Sequence, residues 1–244
     1  MPSTPRFPWS NIELRGRVES AVRDYWDRRG SQSRRQKKAG VKDTGARGEV
    51  TGGQHLNAFS ELVCEVIRSA GFSDTEVRFK SGVELPGYYR PQKKWDVTVI
   101  RGIKLCAALE MKSQVGPSFG NNFNNRSEEA IGSSADFWVA FREGALGLQQ
   151  PWLGYFLFIE EAPGSTSAVA LRKATFPPMG VFNGTSYIDR YGILCQRLML
   201  QRNYNSASLI VSPRGNRGSY AEPLPELQFG AFLKSLFGHL VGIT

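Results

Sequence analysis

The chain has 244 residues, 41% apolar and 22% charged, close to the average of globular proteins and long enough for one α/β domain with a core of its own. No apolar run approaches a membrane span, the first residues lack the apolar core of a secretory signal, and a cytoplasmic location is expected. The net charge of +9 is unevenly placed: residues 27–48 hold eight Arg and Lys against Asp27 and Asp43, so that this window carries +6 of it.

In chain order, Ser10 and Glu13 form an S-x-x-E capping box. Leu14, Val18, Ala21, Val22, Tyr25 and Trp26 follow at helical spacing, which predicts a helix over 11–28. The basic, Gly-rich stretch 29–53 reads as a loop or mobile arm. Without an apolar face it suits nucleic acid better than a membrane, the alternative being a solvated loop. A first unit of 1–54 and a catalytic domain of 55–244 are expected.

A second helix covers 55–70, with Leu56, Phe59, Leu62, Val63, Val66 and Ile67 on one face and Glu61 and Glu65 off it. Strands are predicted at 76–80, 95–101 and 105–112. A Gly/Asn-rich loop spans 116–125, and a helix capped by Ser127 runs to Gly144. A strand at 153–160, a helix capped by Ser186, a strand at 208–212 and a closing helix over 225–240 complete the chain. Strands interleaved with helices indicate an α/β fold, a mixed central β-sheet covered by helices on both faces. Cys64, Cys106 and Cys195 sit in apolar runs and read as reduced core thiols. With His55 and His239 the only histidines, no zinc site is expected.

The chemistry concentrates at Trp95–Lys112. Residues two apart on a strand share a face, so Glu110 and Lys112 project together while Met111 turns to the core. If Gly102, Ile103 and Lys104 form a three-residue loop, Arg101 pairs with Leu105, and the same register sets Asp96 opposite Glu110 with Cβ atoms about 5 Å apart. Facing carboxylates repel unless a cation lies between them, and two carboxylates, waters and a substrate phosphate are what Mg²⁺ accepts. Lys112 beside it can hold or help deprotonate an attacking water and stabilise charge on phosphorus. Glu110-Met111-Lys112 is the sole E-x-K triplet, and no D-x-K competes with it. The bland alternative is a surface ion pair at a strand end.

Asp96 followed by Glu110-x-Lys112 resembles the PD-(D/E)XK nuclease core. The run Leu85-Pro-Gly-Tyr-Tyr-Arg-Pro91, Trp95-Asp96, Glu110-Met-Lys-Ser113 and Val115-Gly-Pro-Ser-Phe-Gly-Asn-Asn-Phe-Asn-Asn-Arg126, with Glu128 and Glu129, resembles the XhoI restriction endonucleases. The resemblance is dense over 85–145 and weak in the first 50 residues. It implies a restriction-endonuclease-like core, a homodimer, a partner DNA methyltransferase and Mg²⁺-dependent cleavage of double-stranded DNA within CTCGAG. The metal would be held by Asp96, Glu110 and the Met111 backbone carbonyl. Trp95 stands where the superfamily pattern has Pro, and a further acid from an early helix would be Glu61 or Glu65.

For DNA contact, Asn pairs with adenine and Arg with guanine in the major groove, which nominates Asn121, Asn122, Asn124, Asn125 and Arg126 as base readers. Arg90, Lys93 and Lys94 suit phosphates, which position without specifying. Arg214 and Arg217 are phosphate contacts or part of a solvated turn. Glu128 and Glu129 either surround the metal or complement the dipole of a first helical turn.

Three rival readings remain. Gly116-Pro-Ser118-Phe-Gly120 with Asp189 and His239 follows serine-hydrolase order, but that elbow needs a helix starting at once after Ser118. A non-catalytic DNA-binding module would use the basic arm and the Asn/Arg segment alone. A repair or recombination nuclease would share the core and read DNA shape instead of sequence.

Overall fold

The computed structural model describes residues 5–38, 55–172, 174–215 and 217–243. Helix α1 (Asn11–Lys38) opens on the expected capping box: Glu13 Oε2 accepts from the Ser10 amide and hydroxyl, both at 2.8 Å. It does not end near residue 28. The stretch read as an arm, 29–53, continues as helix through Lys38, and its remainder, 39–53, lies outside the described residues. Arg, Lys and Gln are good helix formers, so the largely polar residues 29–38 can extend a helix whose first four turns are anchored by packing.

The sheet has the order β1-β4-β5-β6-β7, from β1 (Val77–Phe79), β4 (Val97–Arg101), β5 (Lys104–Gln114), β6 (Trp152–Glu161) and β7 (Ser206–Pro213). β1, β4 and β5 run antiparallel, and β5, β6 and β7 run parallel, giving the mixed α/β sheet expected. A separate hairpin pairs β2 (Glu84–Pro86) with β3 (Gln92–Lys94), both too short to announce themselves by alternation. On one face of the sheet, α1, α2 (Asn57–Ser69) and α5 (Phe229–Gly242) enclose Phe59, Phe156, Phe158, Ile210 and Phe232 in one core. On the other, α3 (Phe119–Arg142) and α4 (Tyr187–Leu200) cover Leu153, Tyr155, Leu157 and Leu209. Among the described residues no helix is long and apolar enough to cross a membrane.

Two local surprises position the site. The β4–β5 turn is tighter than expected: Arg101 pairs with Lys104 across Gly102 and Ile103, with Gly102 at φ +60°. A positive φ at the first central residue is what a glycine supplies without strain. A bulge then skips Cys106, since Ile100 pairs with Leu105 but Val99 with Ala107. Cys106 and Ala107 consequently both enter the core on the α5 side, where strict alternation would part them. The shorter turn and the extra residue cancel, and Val97 faces Leu109 in the register expected for Asp96 beside Glu110.

The second surprise is α3. The Asn-rich segment is helical from Phe119, and Ser127 is no cap: its Oγ donates back to the Phe123 carbonyl at 2.8 Å, one turn inside the helix. Asn is a poor helix former, but Phe119 and Phe123 pack on Tyr187 and Tyr191 of α4, and that burial overrides propensity. The helix does start directly after Ser118, the condition thought to be missing for a nucleophile elbow. The triad fails on other grounds. Asp189 caps α4 through Ser186, while His239 Nε2 meets the bulged Cys106 carbonyl at 3.2 Å on the opposite side of the sheet.

Candidate active site

Strand alternation turns Glu110, Lys112 and Gln114 of β5 toward α3 and α4, whereas Leu109 and Met111 enter the other core. Glu110 is buried, and both of its carboxylate oxygens have polar partners. Its Oε1 accepts from Lys112 Nζ at 3.1 Å and from Lys93 Nζ at 3.0 Å; its Oε2 lies 3.1 Å from the Tyr204 hydroxyl. That hydroxyl is also 3.1 Å from the Ala130 carbonyl, so one proton serves two acceptors. Burial pushes the Glu110 pKa up, but the ammonium groups of Lys112 and Lys93 outweigh it and hold the carboxyl below its ordinary value. Burial works against the charge of Lys112 as well, and Glu110 and Asp96 more than offset it, so its pKa is raised. Lys112 is an ammonium group here, suited to donating hydrogen bonds and stabilising negative charge.

Asp96 precedes β4, and its Oδ2 accepts from the Met111 amide at 2.7 Å. Burial raises its pKa despite that hydrogen bond. In an extended strand the N–H and C=O of one residue point the same way, so the Met111 carbonyl also faces the edge that Asp96 occupies. Two carboxylates and one carbonyl thus converge where β4 begins and β5 runs on past it. The residues fit a divalent cation on the chemistry of this set, because two lysine ammonium groups already gather at the buried carboxylate. Mg²⁺ needs no more protein ligands than these, since waters and phosphate complete its shell. Among the described residues no cluster of three or more His, Cys, Asp or Glu is available to a metal. Neither Glu61 nor Glu65 supplies a third acid: α2 lies on the far face under Met111, where Ser60 Oγ reaches Met111 Sδ at 3.1 Å, and Glu65 pairs with Arg17 at 2.8 Å.

The proposed DNA contacts separate into two groups. Asn121, Asn124 and Asn125 form an exposed stripe on the first two turns of α3, with Asn122 half-buried beside it. Lys94 is exposed. Lys93, next to it on β3, turns inward over the Trp95 ring at 4.6 Å to reach Glu110. Arg90 is engaged by Asp136, whose Oδ2 it meets at 2.7 Å. Arg126 faces inward and pairs with Glu129 at 2.5 Å. Glu128 and Glu129 are mid-helix, so no first-turn dipole role applies to them. Arg214 binds Glu160 at 2.8 and 3.1 Å, and Arg217 is exposed.

Sequence reasoning missed Lys93 and Tyr204 as neighbours of the carboxylate. Lys93 and Lys94 look alike until a strand assigns them opposite faces, and Tyr204 arrives 94 residues after Glu110 through the loop leading into β7.

Residues 35–222 match the family described as Restriction endonuclease XhoI. The chain belongs to the XhoI restriction endonuclease family. Its curated relatives agree. The endonuclease is 43% identical over 212 residues to the type II restriction enzyme BstVI of Geobacillus stearothermophilus, covering 84% of this chain and 95% of that one. It is 44% identical to the type II restriction enzyme XhoI of Xanthomonas vasicola, over 74% of this chain and 73% of the relative. The enzyme AbrI of Azospirillum brasilense is also 44% identical, over 61% and 68%. No solved structure matches the chain. As a type II restriction enzyme the endonuclease is a site-specific deoxyribonuclease, and its α/β sheet is the restriction-endonuclease-like fold of that class.

Proposed function

We propose that the endonuclease makes Mg²⁺-dependent double-strand cuts within the palindrome CTCGAG, working as a homodimer in the cytoplasm beside a DNA methyltransferase that protects the same sequence. The observation that carries this reading is the pairing of the half-buried Asp96 and the buried Glu110 with the Lys112 ammonium, 3.1 Å from Glu110, at one strand edge. Asp96, Glu110 and the Met111 carbonyl would hold the cation, which when bound supplies Lewis acidity and a more acidic water. Lys112 donates to the attacking water or to a non-bridging phosphate oxygen, and Tyr204 keeps Glu110 oriented. The exposed Asn stripe on α3, with Asn122 beside it, suits base edges in the major groove, and Lys94 and the outer part of Arg90 suit phosphates. A palindrome reads the same on both strands, so a two-fold dimer presents this arrangement twice.

Digestion of a plasmid carrying one CTCGAG site, with Mg²⁺ and then with EDTA, tests the reading. A single linear product with one defined pair of ends, absent with EDTA and after cognate methylation, is expected. A smear would favour a nuclease that reads DNA structure, and intact plasmid in Mg²⁺ would remove the catalytic assignment.

The two adjacent lysines should behave differently. Lys94→Ala should weaken cognate and scrambled duplexes alike, with the log affinity–log salt slope shallower by about 0.9. Lys93→Ala should instead lower single-turnover cleavage by about 10²-fold, because it removes one of the two ammonium groups that hold Glu110 ionised and in place. Equal behaviour of the two in cleavage and salt-dependent binding would place Lys93 on the phosphate backbone away from the cut.

A further inference from the structure

The inward face of α3 repeats at steps of four and three residues: Phe119, Phe123, Arg126, Ala130, Ser133, Phe137 and Ala140. Every member but one is apolar or small. Arg126 takes a core-facing position in a stripe that packs against the sheet, with its side chain only 19% exposed. One turn before it, Phe123 lies edge-on to Tyr191 at 5.0 Å; one turn after it, the Ala130 carbonyl shares the Tyr204 hydroxyl with Glu110. Arg126 is therefore within a helical turn of the group that touches the catalytic carboxylate.

Its hydrogen bonding is incomplete. Nη1 binds Glu129 Oε2 at 2.5 Å, but among the described residues the buried Nε has no partner, and neither has the buried hydroxyl of Tyr155, the β6 residue in register with Glu110. Buried polar groups in folded proteins are nearly always paired, and an unpaired one beside a catalytic carboxylate suggests a ligand still to come. A guanidinium reading a guanine must extend into the groove with two donors free, and that outward face of α3 belongs to Asn121, Asn124 and Asn125. A phosphate oxygen brought to the inner face would instead meet Nε directly.

We propose that Arg126 is a second phosphate-binding cation of the catalytic site, which leaves Glu129 when DNA enters and grips non-bridging oxygens of the scissile phosphodiester across from Lys112. This rests on reading Asp96, Glu110 and Lys112 as the hydrolytic site. In that reaction water adds to phosphorus, the bond to one sugar oxygen breaks, and that oxygen takes up a proton. Arg126 makes and breaks no covalent bond; it stabilises the charge that builds on the phosphate, for which a planar guanidinium is well shaped. The two faces of α3 then divide the work, asparagines outward on bases and the arginine inward on the bond being cut.

The test compares wild type, Glu110→Gln, Arg126→Ala, Arg126→Lys and Glu129→Gln in single-turnover cleavage and in metal-free binding of cognate and single-mismatch duplexes. Arg126→Ala should cut about 10²- to 10³-fold more slowly, with cognate-to-mismatch discrimination unchanged, partial recovery in Arg126→Lys and rescue by millimolar guanidinium. Glu129→Gln, which keeps the arginine and removes its competing carboxylate, should bind DNA roughly two- to fivefold more tightly. Discrimination reduced by about 5- to 150-fold in Arg126→Ala would make it a base reader and overturn the proposal. So would a slow Arg126→Ala that guanidinium does not rescue, or a Glu129→Gln that cuts as slowly, since both mark a structural ion pair. If wild type fails to cut in Mg²⁺, the hydrolytic reading falls first. If wild type cuts, Glu110→Gln does not and the Arg126 variants cut normally, the arginine proposal alone is lost.

Discussion

Glu110→Gln should reduce double-strand cleavage by at least about 10³-fold while the endonuclease still folds and binds duplex DNA without metal. Glutamine keeps the shape of the side chain and an acceptor for Tyr204, but it removes the charge that Lys93 and Lys112 approach at 3.0 and 3.1 Å. Alanine is the poorer test. Glu110 is 1% exposed, and deleting it would leave two ammonium groups facing each other in a nearly closed site. Losing one partner of a buried ion pair costs about 3–5 kcal/mol, which for a chain of this size is roughly 6–20 °C in melting temperature. An inactive Glu110→Ala could then reflect unfolding. The pair of measurements is a cleavage time course and a melting curve. Cleavage within tenfold of wild type by a well-folded Glu110→Gln would overturn the site assignment.

Asp136→Ala should destabilise the endonuclease by about 2–4 kcal/mol, a fall of roughly 4–16 °C, and slow cleavage although the partners of Asp136 are Tyr88, Tyr89 and Arg90 and not Asp96 or Glu110. Asp136 is buried on α3 and collects three donors from the turn between β2 and β3: the amides of Tyr88 and Tyr89, each at 2.8 Å, and Arg90 Nε at 2.7 Å. Gly87 lets the turn come that close, since a Cβ there would lie 2.6 Å from Asp136 Oδ2. The latch seats the hairpin that carries Lys93 into the active site. Arg90 is 43% exposed and its share of the energy is small, so the backbone amides dominate. Burial raises the Asp136 pKa, but Arg90 and the two amides outweigh it, and the folded value lies below the ordinary one. The latch is therefore fully present above the usual aspartate value of about 3.9 and is lost as pH falls through the lower folded value. Hydrogen exchange at the Tyr88 and Tyr89 amides, read beside the cleavage rate, checks the coupling. Unchanged protection with normal cleavage would mean that the hairpin is seated by other contacts.

The amino-acid sequence by itself determined the strand that carries Glu110 and Lys112, the face these two share, the strand that begins beside Asp96, and the mixed α/β sheet around them. These are consequences of short-range periodicity and of an apolar run that can be satisfied only inside. The E-x-K triplet and the string from Gly116 to Arg126 were legible for the same reason, as was the Ser186 cap of α4, because a cap needs only its neighbours. The Asp96 register came out right through two unforeseen features, a tighter turn and a bulge at Cys106, whose effects cancel. Only the tertiary structure decided the rest. The Asn-rich segment became helix because Phe119 and Phe123 find Tyr187 and Tyr191 some 70 residues away, a gain that local propensity cannot register. The same packing turned Arg126 inward and the asparagines outward, and the Asp136 latch sent Lys93 to Glu110 while Lys94 stayed in solvent. A long charged side chain can reach several ångströms in many directions. Its role depends on which buried partner the fold brings within reach, and that is a non-local property of the whole chain.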